Sequence, residues 1–262
     1  MRALSMMPPD DARRIVGLLF DLDDTVLSHG RLTREAYDAI WSLHEAGLRL
    51  VAVTGRPSGW GEVIVRQWPI DGAVTENGSV HIVRNGKGVS VILDGEAAEV
   101  AERRARLDQL VADVAKAMPH VKLADDVGAR RSDVAWDIGE RERLDAPSVT
   151  ALADLVIAAG ARTTRSSVHL HATFERDDKA SGAIRFVHRE FGDDSGAALH
   201  RWAFVGDSGN DAACFAAFKT TFGVENVRAY ARVLSVPPRW VASGKRGAGF
   251  AQIAKAILSS RW

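Results

Sequence analysis

Three short apolar runs in this chain each stop abruptly in a polar cluster. Ile15-Val16-Gly17-Leu18-Leu19-Phe20 runs into Asp21-Leu22-Asp23-Asp24-Thr25. Leu48-Arg49-Leu50-Val51-Ala52-Val53 runs into Thr54-Gly55-Arg56-Pro57, and Trp202-Ala203-Phe204-Val205 into Gly206-Asp207-Ser208-Gly209-Asn210-Asp211. A continuous apolar run of this length suits a strand covered on both faces. Between the first two runs a helical pattern starts at Thr33, with Ala36, Ile40 and Leu43 on one face and Gly47 as its stop. Strand, helix, strand is the rhythm of an α/β fold with a parallel sheet and crossover helices. In such a sheet ligands bind beyond the carboxyl ends of the strands. The three clusters are therefore expected to meet in space.

The middle of the chain breaks that rhythm. Val89–Leu93, Val121–Ala124, Asp133–Ile138 and Val168–Phe174 read as strands, and 96–118 and 146–159 as helices. Leu170 and Ala172 alternate with His169, His171 and Thr173, as on a sheet with one covered face. This order predicts a small open sheet with two helices on one face, the size of a separate lid. The expected division is a core of residues 1–87 and 174–262 with a lid at 88–173. The end of the chain returns to the first rhythm, with a helix expected over Ser181–Phe191, a strand over Arg239–Ala242 and a helix over Phe250–Leu258.

Composition excludes several classes of partner. Lys+Arg and Asp+Glu both number 34 in 262 residues, so no global field favours nucleic acid or a membrane surface. No apolar stretch approaches the roughly 20 residues of a membrane span, and Met1–Asp10 is no signal core. The single cysteine, Cys214, rules out an intrachain disulfide and makes a reducing cytoplasm the natural expectation. A small polyanion, held by local charge, is the partner that remains.

The carboxylates carry the chemistry. Asp21 and Asp23 are two apart, on one side of a continuing strand, and Asp207 and Asp211 add two more. Four converging like charges are costly unless a cation offsets them, and oxygen-only ligands suit Mg²⁺. The DxDxT run taken alone could equally be a turn and helix cap.

Four segments together resemble the motifs of the haloacid dehalogenase superfamily of aspartate-nucleophile phosphatases. They are Asp21-Leu22-Asp23-Asp24-Thr25, then Thr54 with Gly55-Arg56, then Lys179 in Asp178-Lys179-Ala180-Ser181-Gly182, and finally Gly206-Asp207-Ser208-Gly209-Asn210-Asp211. About 120 residues separate Thr54 from Lys179. That gap, and the strand and helix order inside it, resemble the cap of subclass IIB. This subclass holds the Cof-type, sucrose-phosphate, mannosyl-phosphoglycerate and trehalose-phosphate phosphatases, and the phosphomannomutases. Thr75-Glu76-Asn77-Gly78 is similar to a segment those proteins carry before the cap.

The resemblance implies a Rossmann-like core with an inserted α/β cap of type C2B. It implies a Mg²⁺-dependent phosphomonoesterase acting on a small sugar phosphate or related metabolite. In it Asp21 would attack phosphorus, and Asp23 would protonate the leaving oxygen and then activate water. The metal set would be Asp21, Asp207 and the backbone carbonyl of Asp23, with Asp211 in support. Thr54 and Lys179 would hold the phosphoryl oxygens, with Gly55, Arg56 and Asn210 on the substrate side. Two departures stand out: Asp24 sits where many Cof-type members have glycine, and Cys214 where a methionine is common. In the lid, Arg131 and His171 are substrate-side candidates, beside the plainer readings of a solvated loop and an exposed strand face. A phosphomutase is the alternative activity, and a non-catalytic sensor of phosphorylated ligands the alternative class; the intact carboxylates and Lys179 speak against the sensor. A monomer or homodimer is expected.

Overall fold

The computed structural model describes residues 1–166 and 168–261. In chain order the strands are β1 (Arg2–Ala3), β2 (Gly17–Phe20), β3 (Leu27–Ser28), β4 (Arg31–Leu32), β5 (Arg49–Val53), β6 (Gly72–Thr75), β7 (Val80–Asn85), β8 (Gly88–Leu93), β9 (Asp133–Asp137), β10 (Arg162–Arg165), β11 (His169–Thr173), β12 (Trp202–Gly206), β13 (Thr220–Gly223) and β14 (Trp240–Val241). The α-helices are α1 (Pro9–Arg13), α2 (Arg34–Glu45), α3 (Ser58–Gln67), α4 (Ala97–Ala117), α5 (Ala146–Ala158), α6 (Lys179–Phe191), α7 (Ser195–Arg201), α8 (Ala212–Ala217) and α9 (Arg246–Ser259).

Nine strands form one sheet in the order β1-β14-β13-β12-β2-β5-β6-β7-β8. Neighbours are parallel from β1 to β6, and β7 and β8 close the far edge antiparallel. Successive residues of β2 and β5 point to opposite faces. Leu18, Phe20, Leu50 and Ala52 pack under α2 and α9, against Ile40, Leu43, Phe250 and Ile253. Leu19, Val51 and Val53 pack on the other face against Phe186, Val187 and Phe215. Two covered faces explain the unbroken apolar runs. Cys214 is buried in the second layer as an apolar filler.

The smaller layer is a three-stranded antiparallel sheet in the order β10-β11-β9. Val134, Trp136, Leu170 and Ala172 face α4 and α5, where Leu107, Leu110, Val114, Leu152 and Val156 complete a separate core. The opposite face of β9 and β11 carries Asp133, His169, His171 and Thr173.

The structure departs from the sequence reading at defined places. β8 belongs to the large sheet, paired with β7 from Val80↔Leu93 to Asn85↔Gly88. The smaller layer therefore starts with α4, and the strand expected at 89–93 is an edge strand of the large sheet. Asn85-Gly86 is a tight hairpin signal, and Gly86 supplies the left-handed turn residue, at φ 57°. The expected strand at 121–124 is a single bridge, Leu123↔Trp136. β10 went unanticipated because Arg162-Thr163-Thr164-Arg165 has no apolar alternation; it forms by pairing with β11. Helix α6 starts two residues before Ser181, at Lys179, because Asp178 caps it through the amide of Ser181 at 2.9 Å. No described helix is long and apolar enough to cross a membrane.

Candidate active site

Strands β12, β2 and β5 lie side by side, so their carboxyl ends share one crevice. Asp21 extends β2 by donating its amide to the carbonyl of Val205 at 2.9 Å. Asp207 follows Gly206 at the end of β12. Thr54 leaves β5 with its amide on the carbonyl of Val74 at 2.8 Å. Asp21, Asp207 and Asp211 each offer a carboxylate oxygen within 4.8 Å of the others, and all three are buried. Gly206 makes room for this: a Cβ there would lie 2.4 Å from Oδ2 of Asp211.

Lys179, the first residue of α6, donates from Nζ to Oδ1 of Asp21 at 2.7 Å and to Oδ1 of Asp211 at 2.8 Å. The other oxygen of Asp211 accepts the amides of Asp207 at 2.9 Å and Ser208 at 3.2 Å. Asp211 is thus engaged on both oxygens and serves as a support. Oδ2 of Asp21 accepts no hydrogen bond among the described residues. Burial pushes the Asp21 carboxyl well above its ordinary range; Lys179 pulls it back, and Asp211, Asp207 and Asp23 push it further up. Asp207 is pushed up to about 7, by burial first and by Asp211 next. Burial also opposes the charge on Lys179, but Asp21 and Asp211 outweigh it and keep the ammonium protonated.

Three buried carboxylates against one ammonium leave surplus negative charge in a dry place. The donor set is oxygen only, with no His or Cys in it. Such a set fits a small hard dication, and Mg²⁺ is the common one. Asp21 and Asp207 have the free lone pairs to hold it.

The second cluster forms the rim. Thr54 is buried, and its hydroxyl oxygen accepts the amide of Arg56 at 3.1 Å, which leaves its proton to donate elsewhere. Arg56 grips Asp23 with two bonds, Nε to Oδ2 at 2.8 Å and Nη2 to Oδ1 at 2.6 Å. The guanidinium lies over the Trp60 ring, 4.3 Å from its centre. Asp23 is thereby held at the half-exposed rim, outside the buried triad.

The smaller layer meets the core beside this rim. Arg130 is buried and donates to the carbonyl of Gly55 at 3.1 Å while pairing with Asp126 and Asp133. Asp133 also receives Nδ1 of His171 at 3.1 Å. Burial would raise the Asp133 carboxyl, but Arg130 and His171 hold it below its usual range. Glu76, fully enclosed, accepts the amides of Ser58, Arg131, Ser132 and Asp133 and the hydroxyl of Ser132, at 2.6–3.2 Å. It sits in the left-handed region at φ 50°, followed by Asn77 and Gly78, also at positive φ. That tight path lays Gly78 on the start of α6, where a Cβ at Gly182 would lie 2.2 Å from the Gly78 carbonyl oxygen.

The other sequence-predicted residues have these partners. Asn210 Oδ1 accepts the hydroxyl of Ser208 at 2.7 Å. Arg131 turns to Glu62 of α3 at 3.0 Å, and its neighbour Arg130 is the buried arginine that reaches the Thr54–Arg56 loop. His171 is buried against Asp133, so the reading of an exposed strand face fails for it. His169 pairs with Glu140 at 2.8 Å. Sequence reasoning missed Asn226, whose side chain reaches Asp207 at 2.7 Å. It lies outside every motif, nineteen positions beyond Asp207, and no local pattern marks it.

Residues 18–98 match the family model of the haloacid dehalogenase-like hydrolases. No curated protein sequence matches the chain. Among solved structures, a protein of Thermoplasma acidophilum superposes with a TM-score of 0.72 at 16% identity, over 93% of this chain and 99% of the other. The sucrose-phosphatase of Synechocystis sp., solved with sucrose and phosphate, gives 0.66 at 15% identity, over 94% and 98%. A HAD/COF-like hydrolase from Plasmodium vivax gives 0.67 at 19% identity, over 96% and 99%. The sequence pattern of the haloacid dehalogenase-like hydrolases thus runs through residues 18–98, and the fold of the whole chain is similar to that of these solved structures.

Proposed function

We propose that this protein is a haloacid dehalogenase-like hydrolase, a Mg²⁺-dependent phosphomonoesterase acting on a small sugar phosphate or related phosphorylated metabolite. The observation that carries the reading is Asp21. It is a buried carboxylate at the end of the central strand, with one oxygen tied to Lys179 and the other without a donor among the described residues. Asp21 is the nucleophile: its free oxygen bonds to phosphorus as the bond from phosphorus to the leaving oxygen breaks, giving an aspartyl-phosphate. Asp23 delivers a proton to the leaving oxygen, then takes one from the water that cleaves the intermediate. Thr54 donates its free hydroxyl proton to a phosphoryl oxygen, and Lys179 offsets the charge of both nucleophile and phosphoryl group. Asp21, Asp207 and the carbonyl of Asp23 would hold Mg²⁺, with Asp211 in support; when bound it offsets charge on the phosphoryl oxygens.

Residues 97–173 serve in this reading as a lid over the crevice, with Arg131 and His171 on its substrate side. Gly55 and Arg56 border the phosphoryl site. The likeness to a phosphatase solved with a sugar and phosphate supports a sugar phosphate as the substrate class. The cytoplasm fits a chain whose single cysteine is buried.

Phosphate release from p-nitrophenyl phosphate and from a panel of phosphorylated metabolites, with Mg²⁺, tests the reading. Asp21→Asn keeps the shape but removes the attacking charge, so turnover should fall at least about a thousandfold. A variant retaining a tenth of wild-type turnover would overturn the covalent route. Exhaustive EDTA dialysis should abolish turnover and Mg²⁺ restore it; full activity after dialysis would remove the metal from the mechanism.

A further inference from the structure

Asp207 is held by two neutral donors. Thr25 Oγ1 donates to its Oδ1 at 3.3 Å, and Asn226 Nδ2 donates to its Oδ2 at 2.7 Å. The Asn226 contact is the shorter and spans nineteen positions of sequence. The same Nδ2 donates its second hydrogen to the backbone carbonyl of Asp24 at 3.0 Å. The Asn226 carbonyl oxygen accepts the amide of Arg246 at 3.1 Å. All three bonding groups of this amide are therefore used, and its orientation is fixed. A flipped amide would set its oxygen against a carboxylate and a carbonyl.

The clasp extends one step further. Arg246 donates from Nε to Oδ1 of Asp24 at 2.7 Å. Asp24 and Arg246 both sit in the left-handed region, at φ 55° and 50°. Such a conformation is unfavourable for a residue other than glycine and persists where neighbours over-determine it. Here the ion pair and the Asn226 amide do so, joining the Asp21–Thr25 turn to the start of α9.

We propose that Asn226 is a positioning residue for the divalent cation: it sets the Asp207 carboxylate and locks it to the turn that carries Asp21 and Asp23. The inference rests on the metal reading given above. The chemistry of the donor supports it. An arginine or lysine at this place would neutralise Asp207 and compete with a cation, whereas a carboxamide orients the carboxylate and leaves its charge free. Each oxygen of Asp207 keeps a lone pair. Partners that hold a ligand in this way typically account for 10–100-fold in metal affinity.

The test is Mg²⁺ binding by the full chain without substrate, measured by titration calorimetry and by the Mg²⁺-induced shift in melting temperature. Asn226→Ala should bind Mg²⁺ about 10–100-fold more weakly than wild type, with a smaller melting shift, while the metal-free melting temperature stays within a few degrees. If Asn226→Ala does not fold, Asn226→Ser carries the same comparison, because its shorter side chain cannot span Asp207 and the Asp24 carbonyl together. Binding within threefold of wild type in the folded variant overturns the assignment. A wild-type chain that takes up no Mg²⁺ while releasing phosphate overturns the metal reading itself, and this inference with it. Weakened binding in the variant beside normal binding in wild type supports both.

Discussion

Lys179 is the residue on which the charge balance of the crevice turns. Among the described residues it is the one ammonium within reach of Asp21 and Asp211, and all three are buried. Removing one partner of such a set leaves uncompensated buried charge, at a cost of about 3 kcal/mol or more. Lys179→Met, which keeps the volume, should therefore lower metal-free stability by that order and also lower turnover with every phosphoester. Urea unfolding and kcat on two unrelated substrates check this; an unchanged unfolding midpoint would show that the carboxylates do not depend on the ammonium. The four carboxylates and Lys179 were legible in the sequence because each lies at a strand end or a helix start. Asn226 was not, because its partners are remote: Asn226 and the Asp24 carbonyl are 202 positions apart. A preference for Arg131 over Arg130 could not be settled by composition either, since only the turn at Val127–Ala129 decides which one faces inward.

At the scale of elements, α6 and β7 hold the site from behind. His81 of β7 is buried, with its ring 5.4 Å from that of Phe186 on α6. Neither ring nitrogen has a hydrogen-bond partner among the described residues. Burial first, then the cations of Arg189 and Arg185, lower its pKa to about 3. The unfolded chain regains a value of about 6.5. Between those two values the unfolded state binds more protons, so stability should fall as pH drops below about 6.5, by up to about 1.4 kcal/mol per pH unit. Urea midpoints at pH 7 and pH 5 for wild type and His81→Leu measure this. The substitution should flatten the dependence, and equal slopes in both proteins would discount His81. Of the parallel strands of the large sheet, β2, β5, β12 and β14 could be read from apolar runs. β8 reads with the smaller layer because an antiparallel edge strand carries no mark of which sheet it joins.

Across the whole molecule, two separate hydrophobic cores are joined by a polar seam. Glu76 is its centre, one carboxylate receiving four amides and a hydroxyl. Glu76→Gln puts an NH₂ group among donors, leaving buried amides unpaired at about 1–3 kcal/mol each. The expected result is a loss of several kcal/mol in unfolding free energy, or separate melting of residues 97–173; calorimetry that shows one unaltered transition would contradict it. His171 tests the lid role differently. His171→Ala should lower kcat/KM for the physiological phosphoester several-fold more than for p-nitrophenyl phosphate, since remote binding energy orients the reacting centre. An unaltered ratio between the two substrates would make His171 a purely structural partner of Asp133. Two layers were expected from the sequence, but their mode of attachment was not, because a carboxylate that binds backbone amides leaves no pattern in the side chains it meets.

That attachment bears on how such a protein can change over generations. Besides the amide of Ser58, and apart from one serine hydroxyl, Glu76 recognises only main-chain N–H groups, those of residues 131–133. Every amino acid except proline supplies that group. That carboxylate is therefore nearly blind to the identity of the residues it grips, and Arg130, which donates to the Gly55 carbonyl, is the side-chain-specific part of the joint. Under the proposed lid role, the rest of the surface facing the crevice is free to drift. An insert exchanged from a distant relative between Leu93 and Asp178 should seat as well as the native one, provided its backbone makes the same turn, it keeps an arginine at 130, and no proline falls at 131, 132 or 133.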